Sequence, residues 1–294
     1  MNNLYSPGYV KKIFKKYKFH YKKKLGQNFL IDKNINYKIV EAADIDKDDL
    51  VIEIGPGLGN LTQILCSKAA KVISIEIDKD FKKIHSEYLN FENLEIIYDD
   101  FMNVDLKEII GEYNRDRIKV VANLPYYITT PIIMKLLEEK HPISKIVVMI
   151  QKEVAERFAS PPGVKNYGAI TLAVNYYTNI NYAFTVPPNV FIPKPRVSSA
   201  VVVFDVLDKP NHKVISKEIL FRIIKGAFAK RRKTFVNSLS STYPEFNKKN
   251  ILKALETLGF NKAIRGEKLS LEDYVKISNI LAKSLDWFIN FFLV

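Results

Sequence analysis

Short apolar runs alternate with stretches of helical spacing from about Ile35 to Phe204. Leu50-Val51-Ile52-Glu53-Ile54 reads as a strand that ends in Gly55-Pro56-Gly57-Leu58-Gly59. Leu61, Ile64, Leu65 and Ala69 then share one face of a helix over Asn60 to Ala70. Lys71 to Asp78 is a second strand, followed by a helix around Phe81 to Tyr88. Leu94 to Tyr98 is a third, closed by Asp99-Asp100, and Ile118 to Ala122 a fourth, closed by Asn123. A helix begins at Thr130, and Lys145 to Ile150 is the fifth strand. Strands separated by helices imply right-handed crossovers, and so an α/β fold with a mainly parallel, doubly wound sheet.

After Ile150 the pattern changes. Ala169 to Tyr177 is apolar and Tyr-rich, Pro187-Pro188 and Pro193-Lys194-Pro195 frame Phe191, and Ser198 to Val206 reads as a late antiparallel strand at the sheet end. From about Lys209 only helical spacing remains, over Ile219–Phe228, Ile251–Leu258 and Leu271–Leu285. The expected organisation is a basic segment over 1–24, an α/β domain over 25–208, a small helical domain over 209–284 and an apolar tail over 285–294. That tail is too short to span a bilayer as a helix and is expected to pack on the body.

The strand ends carry the candidate chemistry. In open parallel sheets, ligands bind beyond the carboxyl ends of the strands near the topological switch point. The turn Gly55-x-Gly57-x-Gly59 lacks the G-x-G-x-x-G spacing that seats a pyrophosphate. Glu76, ending the next strand, can accept both hydroxyls of an adenosine ribose; a solvated strand end is the plainer reading. Asp100 can accept from an adenine amino group, or can serve as a turn or cap residue. A glycine turn alone is common to NAD, FAD and S-adenosylmethionine (SAM) sites, but Gly, acid and acid on three consecutive strand ends favour an adenosine cofactor.

Asn123-Leu124-Pro125-Tyr126 supplies a use for it. The Asn123 side-chain oxygen and the Leu124 carbonyl can hold the hydrogens of a planar exocyclic amine, which localises its lone pair toward a methyl donor. Pro125 has no N–H and fixes φ. Tyr126 can stack on the target base, and Phe191 can cover its other face; core packing is the competing reading for Phe191.

Charge adds a partner. The chain of 294 residues has a formal net charge of +13, which suits a phosphate polymer or an anionic surface. No acidic residue occurs from Met1 to Ile31, where Lys22, Lys23 and Lys24 close a Lys run. Lys230-Arg231-Arg232-Lys233 is a second cluster. A Lys run is often a solvated tail, but Tyr5, Tyr9, Phe14, Tyr17, Phe19 and Tyr21 interleave with the first, which fits base stacking or docking on the body. Cys66 is the single cysteine and lies in a helical pattern, so no disulfide framework exists. His20, His85, His141 and His212 lack ligand spacing, and no metal site is expected. A secretory signal is not expected either.

Leu25-Gly26-Gln27-Asn28-Phe29-Leu30, Glu53 to Gly59, Ile75-Glu76-Ile77-Asp78, Asn123 to Tyr126 and Val190 to Ala200 together resemble the ribosomal RNA adenine N6-dimethyltransferases. Gly226 to Thr234 and Arg265 to Ser270 are similar to the bacterial small-subunit (16S) branch. The resemblance runs from about Leu4 to Leu281. It implies a Rossmann-like SAM-dependent methyltransferase domain and transfer of four methyls to two adjacent adenines near the 3′ end of 16S rRNA. The expected substrate is the immature 30S subunit, and the enzyme is expected to be cytoplasmic and monomeric, with no membrane partner. It also implies that Asn28 and Leu30 border the cofactor, that Gly55 and Gly57 lie in the turn against it, that Glu76 holds its ribose, that Asp100 contacts its adenine, and that Asn123 stands between cofactor and target. Tyr127-Ile128-Thr129-Thr130 departs from the family's usual Asn-Ile-Ser-Thr. The alternatives are the resistance branch, which methylates 23S rRNA, a DNA adenine methyltransferase, and a non-catalytic ribosome-assembly factor.

Overall fold

A computed structural model describes residues 4–113, 117–139 and 141–292, apart from the side chains of 112, 113 and 285–292. In chain order the first part runs α1 (Pro7–Lys16), β1 (Phe29–Leu30), α2 (Lys33–Ala42), β2 (Leu50–Ile54), α3 (Asn60–Cys66), β3 (Lys71–Ile75), α4 (Lys82–Tyr88) and β4 (Leu94–Ile97). It continues through α5 (Leu106–Tyr113), β5 (Ile118–Asn123), α6 (Thr129–Glu138), β6 (Ile143–Gln151), α7 (Lys152–Phe158) and α8 (Ala169–Tyr177). β7 (Thr178–Val186), β8 (Phe191–Ile192) and β9 (Ser199–Val206) follow, and then α9 (Lys217–Ala229), α10 (Phe235–Thr242), α11 (Lys248–Thr257) and α12 (Leu271–Phe292).

The main sheet has the order β4-β3-β2-β5-β6-β9-β7. β2 pairs in parallel with β3 on one side and with β5 on the other, so the winding reverses between β2 and β5. All five β2 residues are buried, as a strand covered by helices on both faces requires. β9 is antiparallel to β6, as the sequence suggests. It is not the sheet edge, because β7, which the apolar Tyr-rich pattern did not reveal, lies outside it. At the opposite end of the strands from the glycine turn, buried Lys119 pairs with buried Asp49 at 2.7 Å.

The basic N-terminal segment is folded onto this domain. Leu4, Val10, Ile13, Phe14 and Phe19 form one buried cluster with Phe29, Leu58, Phe81 and Ile84. Lys11, Lys12, Lys15 and Lys16 occupy the exposed face of α1, so the helix is amphipathic rather than a solvated tail. Docking on the body accounts for most of the interleaved aromatics.

The chain divides into two compact units, residues 1–155 with 179–208 and residues 156–178 with 209–294. The helical unit therefore begins earlier than the expected boundary at 209, since it takes in α8 and its approach. Within it, Phe221 of α9 stacks on Tyr177 at 6.0 Å and meets Tyr176 edge-on at 5.4 Å. These rings explain why the stretch Ala169 to Tyr177 is both apolar and Tyr-rich. Ser216, Thr234 and Asn247 cap α9, α10 and α11 by accepting from backbone N–H groups three residues on. Buried Tyr274 donates to the Gly266 carbonyl at 3.0 Å, and a Cβ at Gly266 would lie 2.7 Å from the Tyr274 hydroxyl. The expectation that the tail packs on the body falls on side chains outside the described residues.

Candidate active site

A cleft of about 870 Å³, counting the open space at its mouth, lies at the carboxyl ends of β2, β3 and β5. Asn28, Leu30, Gly55, Gly57, Glu76, Asn123, Leu124, Pro125 and Tyr126 all line it. Gln27, Glu53, Asn60 and Ile77 line it too and were not singled out as site residues from sequence. It sits at the reversal of the sheet, where side chains from adjacent strand ends converge.

The glycine turn is shaped for a ligand's close approach. Gly55, Gly57 and Gly59 have φ of 73°, 56° and 85°. A Cβ at Gly55 would meet nothing within 4 Å and would project into open space, whereas one at Gly59 would lie 2.5 Å from Leu89. The first glycine is thus spared a side chain for the ligand, and the third for packing.

Two buried carboxylates stand behind the turn. Glu76 accepts from the backbone N–H of Gly57 at 3.0 Å and of Asp78 at 2.8 Å. Each oxygen keeps a lone pair for a further donor. Burial pushes its carboxyl up to about 7, opposed by those N–H groups. Glu53 Oε2 accepts from Thr62 and Ser74 hydroxyls at 2.7 and 2.6 Å. Its Oε1 is buried and has no partner, as is Asn60 Oδ1. Asn60 cannot turn its amide round, because Nδ2 donates to the Leu4 and Leu30 carbonyls. Both orphans are acceptors, and a buried acceptor without a partner is costly. They suit the α-ammonium of SAM's amino-acid part, as the open space at Gly55 and the lone pairs of Glu76 suit its remainder. The residues present therefore fit SAM.

Burial, followed by the charge of Glu76, also pushes Glu53 up to about 7. An acid with a folded pKa above its unfolded value near 4.5 favours the fold below the lower value, and loses that contribution as pH rises through the upper one. Glu53→Gln, which stays neutral, should gain thermal stability relative to the parent as pH rises from 5 to 8. Parallel melting-temperature curves for the two proteins would show that Glu53 does not carry this linkage.

The loop after β5 is fixed by hydrogen bonds. Asn123 Nδ2 donates to the Asn28 carbonyl at 3.1 Å, which leaves Oδ1 as the acceptor. Leu124 N–H donates to Met149 O at 3.0 Å, and among the described residues the Leu124 carbonyl accepts no hydrogen bond. The Pro125 carbonyl, by contrast, is occupied by Ile128 N–H and the Thr129 hydroxyl. Tyr126 is fixed through its hydroxyl to Ser199 Oγ at 2.7 Å. Tyr127 is exposed, and its ring lies 3.4 Å from where a Gly26 Cβ would be.

Other expectations do not meet in the cleft. Phe191 is 3% exposed, pairs with Leu30 through β1 and β8, and packs in the core with Ile39 and Val186. It does not line the cleft, so core packing is the correct reading of its placement. Asp100 does not line it either; its Oδ1 accepts from Met102 N–H at 2.9 Å, which is the turn role. Its charge does reach the Tyr127 phenol, which burial first and Asp100 second push upward. Lys22 is spent in ion pairs with Asp78 at 2.5 Å and Asp80 at 2.6 Å, while Lys23 and Lys24 are exposed. In the helical unit, Lys230, Arg231, Arg232 and Lys233 are all exposed, and Arg231 pairs with Glu267 at 3.0 Å. Lys230 and Lys233 line a second concavity with Lys248 and Ser240. No cluster of possible metal ligands occurs among the described residues.

Comparison with known proteins agrees with this geometry. The family model for ribosomal RNA adenine dimethylase matches residues 18–283. Ribosomal RNA small subunit methyltransferase A of Alkaliphilus metalliredigens is 46% identical over 284 residues, covering 96% of this chain and 99% of that one. The protein of the same name from Geobacillus thermodenitrificans is 46% identical over 282 residues, with 94% and 96% covered. Among solved structures, a dimethyladenosine transferase from Plasmodium falciparum superposes with a TM-score of 0.71 at 28% identity, covering 85% of this chain and 95% of that one. The 23S rRNA methyltransferase ErmE gives 0.67 at 22% identity, with 86% and 99% covered, which is a likeness of fold.

Proposed function

The chain belongs to the ribosomal RNA adenine dimethylases, and from that premise we propose that it dimethylates N6 of two adjacent adenines of small-subunit (16S) rRNA. The enzyme is SAM-dependent. Near-complete coverage at 46% identity by proteins named for the small subunit supports this reading over the large-subunit branch, since ErmE shares the fold at 22% identity. The observation that carries the chemistry is the pair of acceptors, Asn123 Oδ1 and the Leu124 carbonyl, which among the described residues have no partner and lie on the cleft's loop.

SAM, when bound, supplies a methyl on a sulfonium. Glu76 would hold the ribose, Gly55 would admit the close approach, and Glu53 with Asn60 would accept from the amino group. Asn123 Oδ1 and the Leu124 carbonyl accept the hydrogens of the target amine, turning its lone pair from the ring toward the methyl. Tyr126, braced by Ser199, stacks on a base taken out of its RNA stack. No residue has to abstract a proton beforehand, because nitrogen becomes acidic once alkylated. The second transfer meets an amine with one hydrogen left, so one of the two acceptors is released between rounds.

The substrate is the immature 30S particle and the enzyme acts as a monomer in the cytoplasm. Among the described residues no helix is long and apolar enough to cross a membrane. Purified protein with SAM, offered immature 30S particles and 23S rRNA separately, should yield N6,N6-dimethyladenosine in 16S rRNA fragments by mass spectrometry. Product confined to 23S rRNA would assign the enzyme to the other branch, and no product with either would favour a non-catalytic assembly role.

Lys23, Lys24 and the exposed cluster Lys230, Arg232 and Lys233 face the RNA, whereas the ion pairs of Lys22 and Arg231 reduce their part in it. Neutralising Lys230, Arg232 and Lys233 together should flatten the dependence of log K on log salt by roughly 0.7–0.9 for each phosphate no longer neutralised by the protein. An unchanged slope would return the cluster to ordinary solvated surface.

A further inference from the structure

His85 is 2% exposed, stands on α4, and has no ligand-type spacing to the other three histidines. Its surroundings are specific. Nε2 lies 2.7 Å from the Gly57 carbonyl, and Nδ1 lies 2.8 Å from the Tyr98 hydroxyl. A carbonyl can only accept, so Nε2 carries the proton and Nδ1 accepts from Tyr98. The imidazole lies nearly parallel to the Phe81 ring, at 5.4 Å and 13°, and the Tyr98 ring is 5.8 Å away at 28°, on the side where its hydroxyl meets Nδ1. The relay thus runs from just beyond β4 through α4 into the glycine turn after β2.

Gly57 is the residue it reaches, and Gly57 is held from both sides. Its N–H donates to Glu76 and its carbonyl accepts from His85, so two consecutive peptides of the turn are pinned. Its φ of 56° leaves it wide conformational freedom once either anchor is lost. The packing of the site does not by itself call for a histidine, because an apolar side chain of similar volume would pack beside Phe81 without burying polar nitrogens.

We propose that His85, oriented by Tyr98, is a positioning residue that fixes the Gly57 peptide in the conformation that receives SAM. It touches neither the methyl nor the target base, and it acts on cofactor affinity rather than on the transfer step. Burial lowers the imidazole pKa to about 4, so the neutral donor–acceptor form persists across the working range of pH.

The proposal rests on SAM being the cofactor, which binding of S-adenosylhomocysteine to the parent protein by calorimetry establishes separately. His85→Leu should raise the Kd for S-adenosylhomocysteine and the KM for SAM by roughly tenfold, the loss of one hydrogen bond to a buried carbonyl. Its kcat at saturating SAM should stay within about twofold of the parent, because the target-holding loop is untouched. His85→Gln, which can offer an amide N–H to the same carbonyl, should recover most of the affinity. Tyr98→Phe, which keeps the ring, should weaken binding by roughly threefold. Unchanged Kd in folded His85→Leu overturns the proposal, as does a fall in kcat without a change in Kd, or no recovery in His85→Gln. If His85→Leu does not fold, Tyr98→Phe decides alone, and an unchanged Kd there overturns it.

Discussion

Asn123→Ala should lower kcat by roughly 10²- to 10³-fold while the Kd for S-adenosylhomocysteine changes by no more than about threefold. The first figure is the usual cost of removing one preorganised hydrogen-bonding group from a charge-developing transition state. Here the group is an acceptor, and the charge it answers is the positive one growing on nitrogen. The small second effect comes from the other end of the same amide, since Nδ2 braces the Asn28 carbonyl on the cofactor side of the cleft. Asn123→Asp separates the two functions. It keeps an acceptor but sets a carboxylate against the Asn28 carbonyl, so it should lose affinity while retaining more turnover at saturation than Asn123→Ala. Steady-state kinetics and calorimetry on both variants read these effects directly. Parallel loss of binding and turnover in Asn123→Ala would remove the amine-holding role and leave Asn123 as a cofactor-loop brace.

Glu76→Ala should show the reverse pattern, with the Kd for S-adenosylhomocysteine raised by roughly 10²-fold. Hydrogen bonds to a charged group contribute about 1.5–3 kcal/mol each, and the ribose offers two. The change also frees the Gly57 and Asp78 N–H groups that Glu76 now receives, so the turn loses its shape as well as its hold on the ligand. Glu76→Gln is the milder change, because the amide oxygen can still accept from one N–H at nearly unchanged volume. It should weaken binding by less than Glu76→Ala and lower the melting temperature less, since its NH2 group faces only one of the two backbone donors. A Kd for Glu76→Ala within threefold of the parent would mean that the ribose is held elsewhere in the cleft.

Period and punctuation make the sheet legible from sequence. Runs such as Leu50 to Ile54, apolar but for Glu53, are buried between two helical layers, and the residues that close them are forced to the ligand-binding edge. That is why Gly55, Glu76 and Asn123 are identifiable without coordinates and why they meet in one cleft. Side chains whose direction depends on distant partners are not. Phe191 is drawn inward because its short strand pairs with Leu30, about 160 residues earlier. Lys22 looks like free charge until Asp78 and Asp80 are placed beside it. Asp100 has a turn to close within three residues, and that local demand is visible in the sequence as its alternative role. Glu53 and Asn60 are hidden differently: each occupies an ordinary position in a strand or helix, and only the absence of a partner for one oxygen marks it. No periodicity records an unmade bond.

The chain enters its helical unit twice, first over 156–178 and again from 209 onward. Exchange of parts between relatives is therefore constrained. A chimera that takes only residues 209–284 from another member of the family would set foreign α9 rings against native Tyr176 and Tyr177. A graft that respects the folding unit needs three junctions, near residues 155, 179 and 208, and carries both segments from one parent. The stretch between the last two junctions returns β7, β8 and β9 to the catalytic domain. Two compact bodies are thus interleaved along the gene, and neither can be exchanged as one continuous stretch.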